Sequence, residues 1–292
     1  MLCLASWVKA DTLVVLSSDL PAYREVASAI SSNSNTPIKK ILLQEYSSQS
    51  SDEEFQSVVA IGSKAALELL EKAPEQQKLY ATFLPRQTYQ TLLERNKQHP
   101  RIKHGAITAV YLDQPYTRQL SLARLIAPDA KKIATALGPN SQKDLGLLTE
   151  AAKQFKFSLL YETLGDSDSP IQKLQPLIRD ADAFLTLPDK SVFNRTTAKW
   201  ILYISFRQKI PLIGFSKKYV DAGALAAVFS TPEQIGRQTA ELIESTTLDK
   251  RLPKAEHPRY FSVATNPKAA KALRIKLPAG DVLAQQLQGL EP

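Results

Sequence analysis

Short apolar segments alternate with amphipathic segments along nearly the whole chain. Residues 12–17 (TLVVLS), 39–46, 57–63 (SVVAIGS), 79–85 and 106–114 (AITAVYLDQ) are strand-like, and helix-like segments separate them. These segments are largely apolar without alternation, which is typical of strands that helices cover on both faces. The order predicts consecutive βα units, which build a parallel, doubly wound sheet.

The same pattern repeats in the second half of the chain. The further predicted strands are residues 131–139, 158–164, 183–188, 211–216, 224–230 and 259–265. Two sets of about five βα units give too many strands for one small sheet, so two α/β lobes are the simpler interpretation. An eight-stranded barrel is the competing fold at this length, but the chain has more than eight strand segments and their spacing is uneven.

Two helix starts carry capping signals. The segment TPEQIGRQTAELIES predicts a helix with Thr231 as its cap, Pro232 in its first turn and Glu233 close behind. The pair Asn140–Ser141 follows the strand at residues 131–139 and is predicted to cap the next helix, because short polar side chains accept hydrogen bonds from free backbone N–H groups.

Composition narrows the function classes. The chain has 292 residues, 43% of them hydrophobic, and a formal net charge of +8. Lys and Arg rarely cluster beyond pairs such as Lys131–Lys132, which favours scattered surface charge over nucleic-acid binding. With one cysteine, Cys3, and three separated histidines, we expect neither a disulfide framework nor a metal site.

The first ten residues, MLCLASWVKA, have the character of the end of a secretory signal. They are apolar and rich in small residues, and Val8 and Ala10 form an A-x-A-like cleavage site. The charged start of such a signal is missing, so we interpret residues 1–10 as a signal remnant and Asp11 as the mature start. Elsewhere no apolar run reaches the roughly 18 residues that span a bilayer. The sequence thus predicts an exported, periplasmic protein.

Polar residues follow most of the predicted strands. In open α/β sheets, ligands bind beyond the carboxyl ends of the strands, so these residues are candidate ligand contacts. The candidates are Ser17, Ser18, Ser63, Asp113, Asn140, Ser141, Asp189 and Ser216. Each of them alone also fits a helix cap, but together they suit a carboxylate or another small polar group. Tyr111 and Phe215 are candidates for stacking on an apolar part of the ligand, with core packing as the alternative for Phe215.

Signatures of catalysis are weak. The turn at Gly62–Ser63 lacks the phosphate-binding and dinucleotide-binding glycine patterns, and the chain has no G-x-S-x-G elbow. A hydrolase that uses Asp113 and Asp189 as paired carboxylates is the enzymatic alternative. We expect no enzyme activity, no catalytic residue, no cofactor and no metal, and we interpret the Gly–Ser turn as one that holds a ligand.

Several longer segments resemble a known family. They are DAFLTLPDKSV, KIPLIGFSKKYVDAGALAAVFSTPEQIGRQTAELI, ITAVYLDQP, RQLSLARLIAPDAKKIATALGPNS and FSVATNPKAAKALRIKLP. Together they resemble the ABC-transporter substrate-binding proteins that include tryptophan- and tyrosine-binding members, over roughly residues 57 to 278. The chain departs from that family in a short first segment at residues 11–56, in Lys190, and in LRIKLP near the end. These departures leave the expected fold unchanged and bear on which ligand the chain binds.

The resemblance implies a type I periplasmic-binding-protein fold, with two doubly wound lobes and a three-crossover hinge. Lobe one would comprise residues 11–115 and 231–258, and lobe two residues 116–230 and 259–292. The crossovers would lie near residues 114–116, 230–231 and 257–260.

The resemblance also implies a function. A small polar ligand, with amino acids among the candidates, would bind between the lobes of a monomer, and an ABC permease in the inner membrane would recognise the closed form. The alternative is a ligand sensor or accessory protein without a transport role, which the shortened first lobe motivates.

Overall fold

The structure is a computed structural model that describes residues 12–46, 55–165, 168–246 and 251–290. The predicted signal remnant at residues 1–10 and Asp11 lie outside the described residues. The chain divides into two compact units. Unit 1 is Met1–Asp113 with Ser230–Tyr260, and unit 2 is Gln114–Phe229 with Phe261–Pro292.

Strands and helices alternate in the order that the apolar pattern predicts. The strands of the described residues are β1 (Thr12–Leu16), β2 (Ile38–Leu42), β3 (Ser57–Ile61), β4 (Lys78–Leu84), β5 (Ile107–Tyr111), β6 (Lys132–Leu137), β7 (Ser158–Thr163), β8 (Ala183–Leu185), β9 (Leu212–Gly214), β10 (Ala226–Phe229) and β11 (Ser262–Thr265). The α-helices are α1 (Pro21–Ser32), α2 (Ser63–Lys72), α3 (Arg86–Arg95), α4 (Pro100–Lys103), α5 (Tyr116–Ile126), α6 (Leu145–Gln154), α7 (Pro170–Asp180), α8 (Arg195–Arg207), α9 (Lys217–Asp221), α10 (Pro232–Glu244), α11 (Pro267–Leu273) and α12 (Gly280–Leu290).

Unit 1 contains a five-stranded, fully parallel sheet in the order β2-β1-β3-β4-β5. Its central strands are buried on both faces, because neighbouring residues belong to different clusters. Val15 packs in one cluster with Leu69 of α2, whereas Val14 packs in another with Ile235 of α10. The prediction of double coverage holds for these strands and is wrong for β2, an edge strand with exposed Lys39.

Helices α1 and α10 pack closely together in unit 1. A Cβ on Gly236 would lie 2.6 Å from both the Cβ of Ala29 and the carbonyl oxygen of Val26, so the absence of a side chain permits this approach. The predicted start of α10 is confirmed. The Thr231 hydroxyl accepts from the N–H of Gln234, and the Gln234 side chain accepts from the N–H of Thr231, which is a reciprocal capping box.

Unit 2 contains a six-stranded sheet in the order β11-β10-β9-β8-β6-β7. The strands are parallel except that β11 runs antiparallel to β10, which corrects the expectation of a wholly parallel sheet. The strand predicted from residue 259 begins at Ser262. Helix α12, which the sequence analysis did not predict, adds the fully buried Leu283 and Leu287 to the core of this unit.

One predicted helix start is wrong. Asn140 precedes a short 3₁₀ helix, Ser141–Asp144, and its side chain makes no capping hydrogen bond. The Ser141 hydroxyl instead accepts from the N–H of Gly138, 2.8 Å away. Within the described residues, no helix is long and apolar enough to cross a membrane, and no group of three or more His, Cys, Asp or Glu side chains could hold a metal ion.

Candidate functional site

In unit 1, Ser17 joins three elements at the carboxyl edge of the sheet. Its hydroxyl donates to the carbonyl oxygen of Ile61 at 2.7 Å and accepts from the N–H of Ala65 at 2.9 Å. It therefore fixes the end of β1 against the end of β3 and satisfies one N–H in the first turn of α2. Ser18, by contrast, is exposed beside it.

The turn at Gly62–Ser63 joins β3 to α2 and is covered by a tyrosine. Gly62 has a φ of 88° and its Cβ, if present, would lie 2.7 Å from the Tyr23 hydroxyl oxygen, so both conformation and space require glycine here. Ser63 is half-buried at the first position of α2. In the part of the chain that the structure describes, neither its hydroxyl nor its backbone N–H has a hydrogen-bond partner.

An aromatic pair stands beside this turn. Phe83 lies in an irregularity of β4 where the pairing register with β5 shifts, and its φ of 57° is unusual for a bulky residue. Its ring meets the Tyr23 ring edge-on, with centroids 5.9 Å apart. The sequence analysis named neither residue. The place of Tyr23, in the first turn after β1, could have indicated it, whereas no local signal indicates the conformation of Phe83.

Asp113 ends the first segment of unit 1 and is largely enclosed. Its Oδ1 accepts from the N–H of Arg86 at 2.7 Å, which caps α3, and His257 Nδ1 lies 2.8 Å from its carbonyl oxygen and 3.9 Å from Oδ2. Burial raises the pKa of Asp113, although His257 and the Arg86 N–H act in the opposite direction. Its carboxylate therefore contributes to local structure at the end of the first chain segment.

Tyr111 is buried at the end of β5. Its ring lies 5.9 Å from that of Tyr89 and 5.1 Å from that of His257, measured between centroids. Burial raises the pKa of the Tyr111 hydroxyl, with nearby Arg86 acting to lower it. The ring thus forms part of the packing around Asp113.

In unit 2, Asp189 and Ser141 are brought together although 48 residues separate them. Oδ2 of Asp189 accepts from the Ser141 N–H at 2.9 Å and hydroxyl at 2.7 Å, and Oδ1 accepts from the Ser191 N–H at 3.1 Å and hydroxyl at 2.6 Å. We call this group, with Gly138, the Asp189 knot. It ties the turn after β6 to the turn after β8.

The knot holds a charged carboxylate in a buried position. Asp189 is 2% exposed. Burial by itself would raise the pKa of Asp189, but the hydrogen bonds from Ser191 and Ser141 outweigh it and the pKa is lowered. Gly138 completes the arrangement, because a Cβ there would lie 2.2 Å from the Ser191 hydroxyl and 2.8 Å from Asp189 Oδ2.

The remaining candidates in unit 2 take no part in the hydrogen bonds of the Asp189 knot. Asn140 is exposed, and Ser216 precedes α9 with no capping bond from its side chain. Phe215 is half-buried and its ring lies 4.8 Å from that of Tyr219. Burial raises the pKa of Tyr219 to about 12, and its hydroxyl has no partner among the described residues.

The comparisons with known proteins agree with this architecture. The model of a family described as ABC transporter substrate binding protein matches residues 90–286. No curated protein matches the chain.

Solved structures share the fold. A ligand-free, open substrate binding protein with adhesive properties from Clostridium difficile is 17% identical with a TM-score of 0.73, over 91% of this chain and 95% of that one. An ABC domain from Streptococcus pneumonia in complex with L-Trp is 16% identical with a TM-score of 0.62, over 92% and 96%. A solute binding protein from Agrobacterium vitis bound to α-D-tagatopyranose is 12% identical with a TM-score of 0.52, over 90% and 98%. The fold is therefore that of the type I periplasmic binding proteins, as the resemblance implied.

Proposed function

This chain belongs to the ABC transporter substrate binding protein family, and on that premise we propose that it is the exported solute-binding component of an ABC-type uptake system. Its ligand is a small polar solute, with amino acids as the first candidates, and its partner is a membrane permease. The ten strand-end residues named from the sequence outline the proposed binding region, some as direct contacts and others as positioning residues, and Tyr23 and Phe83 are added to the direct contacts.

The observation that carries this proposal is the unpartnered start of α2. The hydroxyl and N–H of Ser63 are unsatisfied within the described residues, and the N-terminus of a helix favours a negative charge. The aromatic pair Tyr23–Phe83 stands beside the same turn. A carboxylate at Ser63 with an apolar side chain against the two rings is the arrangement of an amino acid.

The two units contribute differently to this proposal. In unit 2, both carboxylate oxygens of Asp189 and the Ser141 hydroxyl already hold hydrogen bonds, so we assign these two residues to positioning the strand-end turns. The side chains of Asn140 and Ser216 make no capping hydrogen bond, and these two residues are the proposed direct contacts there, together with the half-buried Phe215. The structure solved with L-Trp makes aromatic amino acids a natural first group of test ligands.

Isothermal titration calorimetry against amino acids and sugars tests the proposal, with protein unfolded and refolded to remove any bound solute. We expect one amino acid to bind. Tyr23→Ala and Ser63→Ala should each lower the affinity for it roughly tenfold, because each variant removes one contact and a contact contributes about 1.4 kcal/mol. Tyr161→Ala is the matched control, because Tyr161 is an exposed residue of β7. The absence of binding by every solute would contradict the proposal.

Transport is tested separately from ligand binding. Vesicles containing the candidate permease and ATPase should accumulate the ligand only when this protein is added. Ligand binding without stimulated uptake by any cognate permease would favour the alternative role as a sensor or accessory protein.

A further inference from the structure

One stretch of unit 2 contains basic residues and no acidic residue. Residues 190–220 contain seven Lys or Arg residues and no Asp or Glu. All seven side chains are exposed. They are Lys190, Arg195, Lys199, Arg207, Lys209, Lys217 and Lys218.

Helix α8 carries the centre of this stretch. Arg195, Lys199, Tyr203 and Arg207 follow at intervals of four residues, which places them along one side of the helix, and Phe206 lies beside them. We call these five residues the α8 outer stripe. The side of α8 that faces the sheet is formed by the buried residues Thr197, Ile201 and Ser205.

The stripe exposes two aromatic rings between its charges. Tyr203 is 58% exposed and Phe206 is 57% exposed, and the Arg207 guanidinium lies 5.9 Å from the centroid of the Tyr203 ring. Trp200 is half-buried on the same helix. More than half of the Phe206 side chain therefore faces solvent instead of packing within unit 2.

Neighbouring elements do not cancel the positive charge. On α9, Asp221 pairs with Lys217 at 2.7 Å, which leaves Lys218 beside it. On α7, the helix that packs against α8, the exposed charges near the end are Arg179 and Asp180, one of each sign. The cap of α8 is the neutral Asn194, whose Oδ1 accepts from the N–H of Thr196 and of Thr197.

We propose that the α8 outer stripe docks this protein on an anionic lipid bilayer. Aromatic rings are favoured at the level of the lipid headgroups, and Lys and Arg are attracted to anionic lipids within a Debye length. The basic side chains from Arg195 to Arg207 extend over about three turns, or about 18 Å along the helix. This length suits the many phosphates of a membrane surface better than a single carboxylate. This inference does not depend on the identity of the solute.

Co-sedimentation with vesicles measures the binding. The full chain should sediment with mixed phosphatidylglycerol–phosphatidylcholine vesicles at low salt and remain in solution with phosphatidylcholine alone. High salt should release it, because ions screen surface charge. With Trp7→Phe, Trp200 becomes the single tryptophan of the chain, and brominated anionic lipids should quench its fluorescence.

Two double variants separate charge from apolar contact. Lys199→Gln with Arg207→Gln should weaken the partition coefficient roughly 25-fold, at roughly fivefold for each basic residue. Tyr203→Ser with Phe206→Ser should weaken it roughly tenfold, because less apolar surface enters the membrane. All four side chains are at least partly exposed, so unchanged melting temperatures should confirm that the variants fold.

Matched controls decide whether the stripe itself is responsible. Lys97→Gln with Lys103→Gln removes the same charge from exposed positions of unit 1, and Leu147→Ser removes a 55% exposed apolar side chain from α6. We expect each control to change the partition coefficient less than twofold. Equal losses in controls and stripe variants, the absence of any vesicle binding, or a self-association that the stripe variants abolish would each overturn the proposal.

Discussion

At the scale of single residues, two aspartates beyond strand ends differ in the groups around their carboxylates. Asp189 accepts four hydrogen bonds from Ser141 and Ser191, and its pKa is lowered. Asp113 accepts from the Arg86 N–H, is only 16% exposed, and its pKa is raised by burial. The same residue type beyond a strand end therefore makes pH-dependent contributions to stability of opposite sign.

For Asp189→Asn, we expect the free energy of unfolding to fall by about 2–3 kcal/mol, because an amide nitrogen replaces an acceptor of buried donors. The pKa of Asp189 is lower in the folded protein than its value of about 3.9 in the unfolded chain. The charged carboxylate therefore stabilises the fold above that unfolded value, and this contribution is lost as the pH falls through the folded pKa. Thermal unfolding at neutral and acidic pH measures both effects. The destabilisation caused by Asp189→Asn should become smaller at acidic pH. A destabilisation that does not change with pH would contradict a stabilising role for the charged carboxylate.

For Asp113→Asn, we expect a change below about 1 kcal/mol at neutral pH, because the amide oxygen keeps the bond to Arg86 and no buried charge remains. A raised pKa means that the folded state binds the proton more tightly, so the wild type loses stability as pH rises through that range. The variant should lack this loss. A destabilisation as large as that of Asp189→Asn would show that the interaction with His257 dominates instead.

At the scale of elements, close backbone approach matters more than helix propensity. Helix α10 contacts α1 at Gly236, where a Cβ would meet Ala29 and the Val26 carbonyl at 2.6 Å. At Gly146 of α6, in contrast, a Cβ would meet no atom within 4 Å apart from the backbone of its own helix and its two chain neighbours. The two helical glycines are therefore a matched pair for separating packing from backbone entropy.

We expect Gly236→Ala to lower the stability of unit 1 by about 1–3 kcal/mol, since the two helices must move apart. Gly146→Ala should leave stability unchanged or raise it by up to about 1 kcal/mol, because alanine restricts the unfolded chain and favours the helix. Urea unfolding of both variants measures the difference. Equal effects at the two glycines would refute the packing argument.

At the scale of the whole molecule, each unit has its own core. Every buried residue of the largest cluster belongs to unit 2, and the two other clusters belong to unit 1. The chain passes between the units after Asp113, Phe229 and Tyr260. Cooperative unfolding depends on shared packing, so the units have the basis for separate transitions.

Scanning calorimetry should resolve two transitions in the absence of ligand. Gly236→Ala should lower the transition of unit 1, and Asp189→Asn should lower that of unit 2, while the other transition stays within about 1 °C in each case. One transition that both variants shift equally would exclude independent cores.

The sequence by itself determined the order of βα units, the division into two α/β lobes, the capped start of α10 and the family. These features depend on local periodicity and on residues within one turn of each other, such as Thr231 and Gln234, so a linear pattern contains them. It also placed polar residues beyond the strand ends, because a strand end is a local feature.

Only the tertiary structure decided which of those polar side chains are already occupied by hydrogen bonds within the protein. Ser141 and Asp189 bond each other across 48 residues, Ser17 bonds Ala65 across 48 residues, and Tyr23 reaches Phe83 because α1 and β4 come together in the fold. The antiparallel direction of β11 and the packing of α12 depend likewise on distant partners. Periodicity specifies which face of an element is apolar, whereas hydrogen-bond partners are specified by the packing of elements far apart in the chain.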